Sequence, residues 1–226
     1  MKLKNRKLVK VCGMREGGNI INLSSLHPDF MGFIFYEASP RNAIGIDKNI
    51  IDSIPKEITP VGVFVDSTIE KIDEISTYYG INLVQLHGDE SPEFCNKLRQ
   101  KGYKIIKAIS IPLEADKIFL SKIKEYEDKI DIFLFDTKGA SVGGTGVKFH
   151  WDILTHYDSA TPFILSGGIQ AEDAEGLCDF MPEKCIGVDI NSKFELYPGV
   201  KNVKLIETFI KRIRYGKKQV NSTIKK

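Results

Sequence analysis

The chain has 226 residues, 42% of them apolar, which suits one α/β barrel or two small domains with a large buried core. No apolar run reaches the roughly 18 to 20 residues of a membrane helix, and the opening MKLKNRK leads into VKVCG rather than a signal-peptide stretch, so a cytoplasmic protein with no membrane partner is expected. The net charge is +2, with five Lys or Arg in residues 1–10 and seven in 211–226; the basic tail lacks interleaved aromatics and lies beyond the last apolar helix, so a solvated, frayed tail over about 215–226 is expected rather than a nucleic-acid contact.

Short β-rich apolar runs recur in order: LVKVC (8–12), FMGFIF (30–35), PVGVFV (60–65), INLVQL (81–86), YKIIKAI (103–109), KIDIFLF (129–135), PFIL (162–165) and KCIGVDI (184–190). Most are separated by helical periodicity. STIEKIDEISTYYG ends on a glycine stop, SPEFCNKLRQKG opens on a serine cap with proline in the first turn, and the helix near DKNIIDSI is short. Strict alternation of strand and helix implies a parallel sheet with right-handed crossovers, and eight repeats in about 200 residues favour a closed (β/α)8 TIM barrel. No linker or low-complexity tract interrupts the pattern, so residues 1–226 are expected to form one domain.

A barrel enzyme builds its site from the C-terminal ends of the strands. Those ends carry Cys12, Ser39 with Arg41, Asp66, His87, Ser110, Asp136, Gly167 with Gly168, and Asp189 with Asn191, which closure would bring to one mouth. GASVGGTG (139–146), SGGI (166–169) and DINSK (189–193) follow the last three strands. Their small residues let backbone N–H groups approach an anion, so Gly143, Gly144, Gly167, Gly168, Asn191 and Ser192 are candidate phosphate contacts for a small phosphorylated ligand.

Arg41 offers a planar five-donor fork for a carboxylate, although a surface arginine would read the same way, and His87 in QLHGDES is expected to line the substrate rather than act as the base. Cys12 is either a buried structural thiol or a base, and a base must be thiolate, which a nearby cation favours. Lys10 shares its strand face, and Asp189 comes from the strand that adjoins strand 1 in a closed barrel, so a Lys10 and Asp189 pair under Cys12 is expected. Asp136 follows the apolar run IDIFLF; it is either a turn aspartate or, with partial burial raising its pKa, a general acid. Two titratable groups of different type around a phosphate-binding mouth suit proton transfer to one substrate atom and from another.

The remaining cysteines form no C-x-x-C pair, and no two histidines have a ligand spacing, so neither disulfide nor metal is expected. Cys95 and Cys178 on helix patterns and Cys185 at a strand start read as small core residues.

The segments KVCGMRE, GFIFYEASPR, VGVFVD, VQLHGDES, KAIS, FLFDTKGASVGGTGVKFHW, PFILSGGIQAEDA and GVDINSKFELYPGVKN, in that order, resemble the phosphoribosylanthranilate isomerase family from about Lys10 to Phe209. The resemblance implies an Amadori rearrangement in tryptophan biosynthesis, without metal or organic cofactor. It assigns the base to Cys12 and the acid to Asp136, the anthranilate carboxylate to Arg41, a lining role to His87, and the phosphate to Gly144, Gly167, Gly168 and Ser192. The chain departs from the family pattern at His150, at Asn191 and Lys193 to Phe194, and at Asn202, none of which is the acid or the base. A monomer is expected over a homodimer.

Two rival readings remain at this point. Another sugar-phosphate barrel would want metal-binding histidines with paired aspartates, or an Asp where this chain has Cys12. A catalytically silent phosphate-binding barrel would have no need of both Cys12 and Asp136.

Overall fold

The computed structural model describes residues 6–112, 117–137 and 151–216. Eight parallel strands close into a barrel in sequence order: β1 (Leu8–Cys12), β2 (Phe30–Ile34), β3 (Thr59–Phe64), β4 (Leu83–Leu86), β5 (Lys104–Ile111), β6 (Ile132–Thr137), β7 (Phe163–Ser166) and β8 (Cys185–Ile190). Each falls on one of the eight apolar runs. Helices α1 (Gly17–Ser24), α2 (Lys48–Asp52), α3 (Ile69–Tyr79), α4 (Pro92–Gln100), α5 (Lys117–Ile123), α6 (Ala174–Phe180) and α7 (Val203–Tyr215) lie along the connections.

Local chemistry sets the helix ends. The Thr68 hydroxyl caps α3 by accepting from Lys71 N, and Gly80 closes it in the left-handed region at φ 66°. Ser91 caps α4 through Phe94 N, with Pro92 in the first turn, where its missing N–H costs no bond. Helix α2 has only five residues. After β6, residues Trp151–His156 form a 3-10 turn instead of a regular α-helix.

The two faces of the strands build two apolar cores. Inside the barrel, Val61, Val63, Leu83, Ile106, Ala108 and Leu134 pack around Cys12. Outside, Val9, Val11, Phe33, Phe64, Val84, Phe133, Phe135, Phe163 and Val188 meet the helices. Gly32 faces the barrel interior beside β1, where a Cβ would sit 2.8 Å from Cys12 Sγ and 3.1 Å from Lys10 Nζ. Only a residue without a side chain leaves room there for both groups.

The basic C-terminal stretch departs from expectation. Helix α7 runs to Tyr215 with Ile210 and Ile213 buried, so Lys211 to Arg214 belong to the last apolar helix instead of following it. Arg214 Nη2 donates at 2.8 Å to Asp29 Oδ2, which also accepts from Val9 N, while Arg6 pairs with the other Asp29 oxygen. One carboxylate thereby fastens α7 to the bottom of β1. Residues 217–226 lie outside the described residues. Cys178 also differs: Cys95 and Cys185 are buried, but Cys178 is exposed, one position round α6 from the buried Leu177.

A further element, unanticipated in the strand pattern, follows β8. Strands β9 (Glu195–Tyr197) and β10 (Val200–Lys201) form an antiparallel hairpin in which Lys201 is opposite Glu195. Pro198 and Gly199 make its turn, and Gly199 takes φ 87°, as the third residue of a type II turn requires.

Candidate functional site

At the C-terminal end of the barrel a cavity of about 310 Å³ opens between the strand ends. Cys12, Ser39, His87, Asp136, Gly167, Gly168, Asp189, Asn191 and Ser192 all line it. Asp66 and Ser110 do not: the Asp66 carboxylate turns away to accept from Asp89 N, and Ser110 is exposed beside Asp136 in the β5–β6 register. Gly143 and Gly144 lie outside the described residues.

Parallel register places Lys10 next to Asp189 across the β1–β8 seam, with both side chains inward. Lys10 Nζ donates to Asp189 Oδ1 at 3.0 Å, with the lysine fully buried. Cys12 is 4% exposed, one layer nearer the mouth on the same face of β1, and both groups lie beside Gly32. The thiol nevertheless lies above its ordinary pKa. Burial pushes it up and Asp189 adds to that, against the opposing pull of Lys10 and Lys201. Lys10 thus offsets the burial without bringing the thiol below its usual range. Burial likewise pushes the Asp189 carboxyl up, with Lys10 opposing.

Asp136, from the end of β6, carries a side chain 25% exposed, with His87 Nε2 3.4 Å from its Oδ2. Behind the imidazole, Gln85 Nε2 lies 2.9 Å from His87 Nδ1. That contact ties the imidazole to the inner wall of β4 and holds its Nε2 edge toward Asp136. Gln85 is two residues before His87, on the same inward face of β4, and strand parity alone could have pointed to it.

The loop carrying His87 rests on a buried ion pair. Lys107, on the outward face of β5, contacts Glu90 Oε2 at 2.8 Å and donates to Gly88 O at 2.6 Å. The Glu90 carboxylate accepts in turn from Asp66 N and Gly88 N. Each carboxylate oxygen is satisfied, and the turn after β4 is tied to both neighbouring strands.

Arg41 stands beside the cavity, not on its wall. Its backbone N–H donates to Ser39 Oγ at 3.1 Å. Glu195 takes the guanidinium in a fork: Nε donates to Oε1 at 2.9 Å and Nη2 to Oε2 at 2.6 Å. The pair raises the Arg41 pKa, and the same contact with Lys201 holds the Glu195 carboxyl below its usual range against burial. Lys201 Nζ donates to Glu195 Oε1 and to Asn191 Oδ1, each at 2.7 Å. The Asn191 amide oxygen is therefore committed to an ammonium, which fits an acceptor better than an anion contact.

Gly167 (φ 96°) and Gly168 (φ 60°) follow β7 in the left-handed region, and with Ser192 and Lys193 after β8 they form one wall of the cavity. Backbone at positive φ exposes N–H groups to a ligand in a way that a β-carbon would obstruct. Among the described residues no group of three or more His, Cys, Asp or Glu is arranged to hold a metal ion. No helix among them is long and apolar enough to cross a membrane.

Known proteins share this fold. The family model described as N-(5'-phosphoribosyl)anthranilate (PRA) isomerase matches residues 9–212. The N-(5'-phosphoribosyl)anthranilate isomerase of Parabacteroides distasonis is 43% identical over 91% of this chain and 93% of its own. The crystal structure of phosphoribosyl anthranilate isomerase from Thermotoga maritima superposes with a TM-score of 0.80 at 31% identity, covering 92% of this chain and 98% of that one. A structure of such an isomerase in complex with reduced 1-(o-carboxyphenylamino)-1-deoxyribulose 5-phosphate gives 0.77 at 29% identity, with the same coverage. A family match over nearly the whole barrel, with a relative 43% identical over 91% of the chain, places this chain in the N-(5'-phosphoribosyl)anthranilate isomerase family.

Proposed function

We propose that the protein catalyses the Amadori rearrangement of N-(5-phosphoribosyl)anthranilate to 1-(2-carboxyphenylamino)-1-deoxyribulose 5-phosphate in tryptophan biosynthesis. The observation that carries this reading is the Cys12 thiol and Asp136 carboxyl on one cavity whose remaining wall is Gly167, Gly168, Ser192 and Lys193. Asp136 gives its proton to the furanose ring oxygen, the C1–O bond breaks, and C1 becomes the carbon of a protonated Schiff base. The Cys12 thiolate then takes the proton from C2. The released electron pair forms the C1–C2 double bond and neutralises the nitrogen, giving an enolamine that tautomerises to the ketone.

The phosphate is assigned to the glycine wall, with Gly143 and Gly144, which lie between β6 and β7 in sequence, as further candidates. Arg41 is assigned to the anthranilate carboxylate. Glu195 occupies two of its five N–H donors, so three are left for a second carboxylate. Arg41→Lys removes the planar fork and keeps the charge; we expect KM to rise roughly 10- to 100-fold, from the loss of one charge-assisted hydrogen bond, with a much smaller change in kcat. Steady-state kinetics check this split.

The reading as a whole is tested by following the loss of phosphoribosylanthranilate fluorescence with purified enzyme. No turnover by the wild-type protein sinks it. A monomer in the cytoplasm is the working form we propose. Sedimentation of the active protein as a dimer would overturn the first half of that statement.

A further inference from the structure

Two ammonium groups flank the Cys12 thiol, and only one belongs to a barrel strand. Lys10 reaches it from below, already paired with Asp189. Lys201 approaches from the hairpin: a Cβ built on Gly13 would lie 3.4 Å from Lys201 Nζ and 2.8 Å from Asn191 Oδ1, so the ammonium stands beside the Cys12–Gly13 backbone. Its side chain is fully buried. Asn19 grips the Lys201 backbone from both sides, accepting from its N–H at 2.8 Å and donating to its carbonyl at 2.9 Å, while Glu195 and Asn191 hold the far end. Burying an ammonium is costly, and a lysine next to an exposed turn could have pointed to water instead.

The signs of the surrounding charges decide what Lys201 adds. The groups facing the thiol come from four elements: Lys10 on β1, Asp189 on β8, Arg41 after β2 and Lys201 on β10, with Glu195 on β9 shared by the last two. Asp189 offsets part of the pull of Lys10 on the thiol. Arg41 and Lys201 together carry two positive charges against the single carboxylate of Glu195, so this cluster adds a net cation beside the Cys12–Gly13 backbone.

We propose that Lys201 is a positioning residue for proton abstraction by Cys12, its ammonium fixed by Glu195 and Asn191 so that the buried thiol can ionise. The inference rests on the isomerase reading above. Cys12 releases its proton to water, and the thiolate, held in the field of Lys201, takes the substrate C2 proton and returns to the neutral thiol. Burial pulls the Lys201 ammonium down from its ordinary value, while Glu195 and Cys12 oppose that pull.

The test measures the ionisation of Cys12 directly, through the pH dependence of alkylation by iodoacetamide. Every variant is made on a Cys178→Ser background, because Cys178 is exposed and would react as well. In Lys201→Met the alkylation midpoint is expected to rise by about one pH unit or more, leaving roughly tenfold less thiolate below the midpoint. The limb of kcat/KM that rises with pH should move with it, and Lys201→Arg should restore most of the shift. In Glu195→Gln the buried ammonium loses the carboxylate that fixes it and keeps it charged, and the midpoint is expected to rise as well. An unmoved midpoint in Lys201→Met overturns the proposal even if activity collapses, because a purely structural lysine would lower activity without moving it. Should Lys201→Met not fold, Glu195→Gln decides, and a midpoint that stays or falls is the overturning result. Absence of wild-type turnover would sink the isomerase reading itself, whereas turnover with an unmoved midpoint would sink only this inference.

Discussion

Cys12→Ser is expected to lower kcat about 10²- to 10⁴-fold while leaving the barrel folded, and Asp136→Asn is expected to do the same. A serine hydroxyl fills nearly the same volume in the interior cluster with Val61, Val63 and Leu134, but it does not ionise in the range where a thiol can. The asparagine amide keeps the shape of the carboxyl and gives up its proton. If the two groups act on the same substrate at different atoms, the double variant should lose no more than the product of the single losses, and KM should change little in either. Steady-state kinetics on the three variants check this, with circular dichroism to confirm the fold. Wild-type kcat in both single variants would remove the acid–base pair from the mechanism. Their surroundings also differ, because Asp136 faces His87 whereas Cys12 lies over Lys10 on the inner face of β1.

The second large effect is on stability. Asp189→Leu leaves Lys10 as an unpaired ammonium inside the barrel, and removing one member of a buried pair costs about 3–5 kcal/mol. Urea denaturation should show that loss as a lower midpoint with an unchanged slope. Converting both partners, Lys10→Met with Asp189→Leu, is expected to recover most of it, because two apolar side chains suit the neighbouring interior cluster and no charge is then left without a partner. The double variant should still be a poor catalyst: its thiol loses the nearer of two ammonium groups. A double variant as unstable as the single one would show that the pair is not coupled in the way its 3.0 Å contact implies.

Strand parity also marks how far the site was legible. Lys10, Cys12, Gln85 and His87 follow from the period of two, because alternate residues must share a face, and β1 meets β8 in any closed eight-stranded sheet. Cys178 shows the limit of the same reasoning on a helix, where neighbouring positions differ by about 100° and an apolar-looking residue one step off the buried stripe faces outward. The pairing of Glu90 with Lys107 was out of reach: Lys107 occupies an outward position of β5, and nothing in QLHGDES says that its second acid turns inward to meet a neighbouring strand.

The eight strands, their closure and the set of strand ends that meet at the mouth are legible in the chain, since alternating periodicity and chain order leave little freedom once crossovers are right-handed. So is the meeting of Cys12, Asp136 and the glycine pair at one cavity, because each follows directly on a strand. The charge on those groups depends on three-dimensional packing. Burial lifts the Cys12 thiol above its usual range, a quantity that depends on everything packed round it, and beside the opposing pull of Lys10 stands that of Lys201, near the far end of the chain, on a hairpin whose fold back over β1 no local pattern encodes. The same hairpin brings Glu195 onto Arg41, so the guanidinium is a partly committed fork, its direction set by a contact 154 residues away in the chain. Periodicity fixes which face a side chain takes; the partner it meets there depends on long-range packing, and in this site the partners set the chemistry.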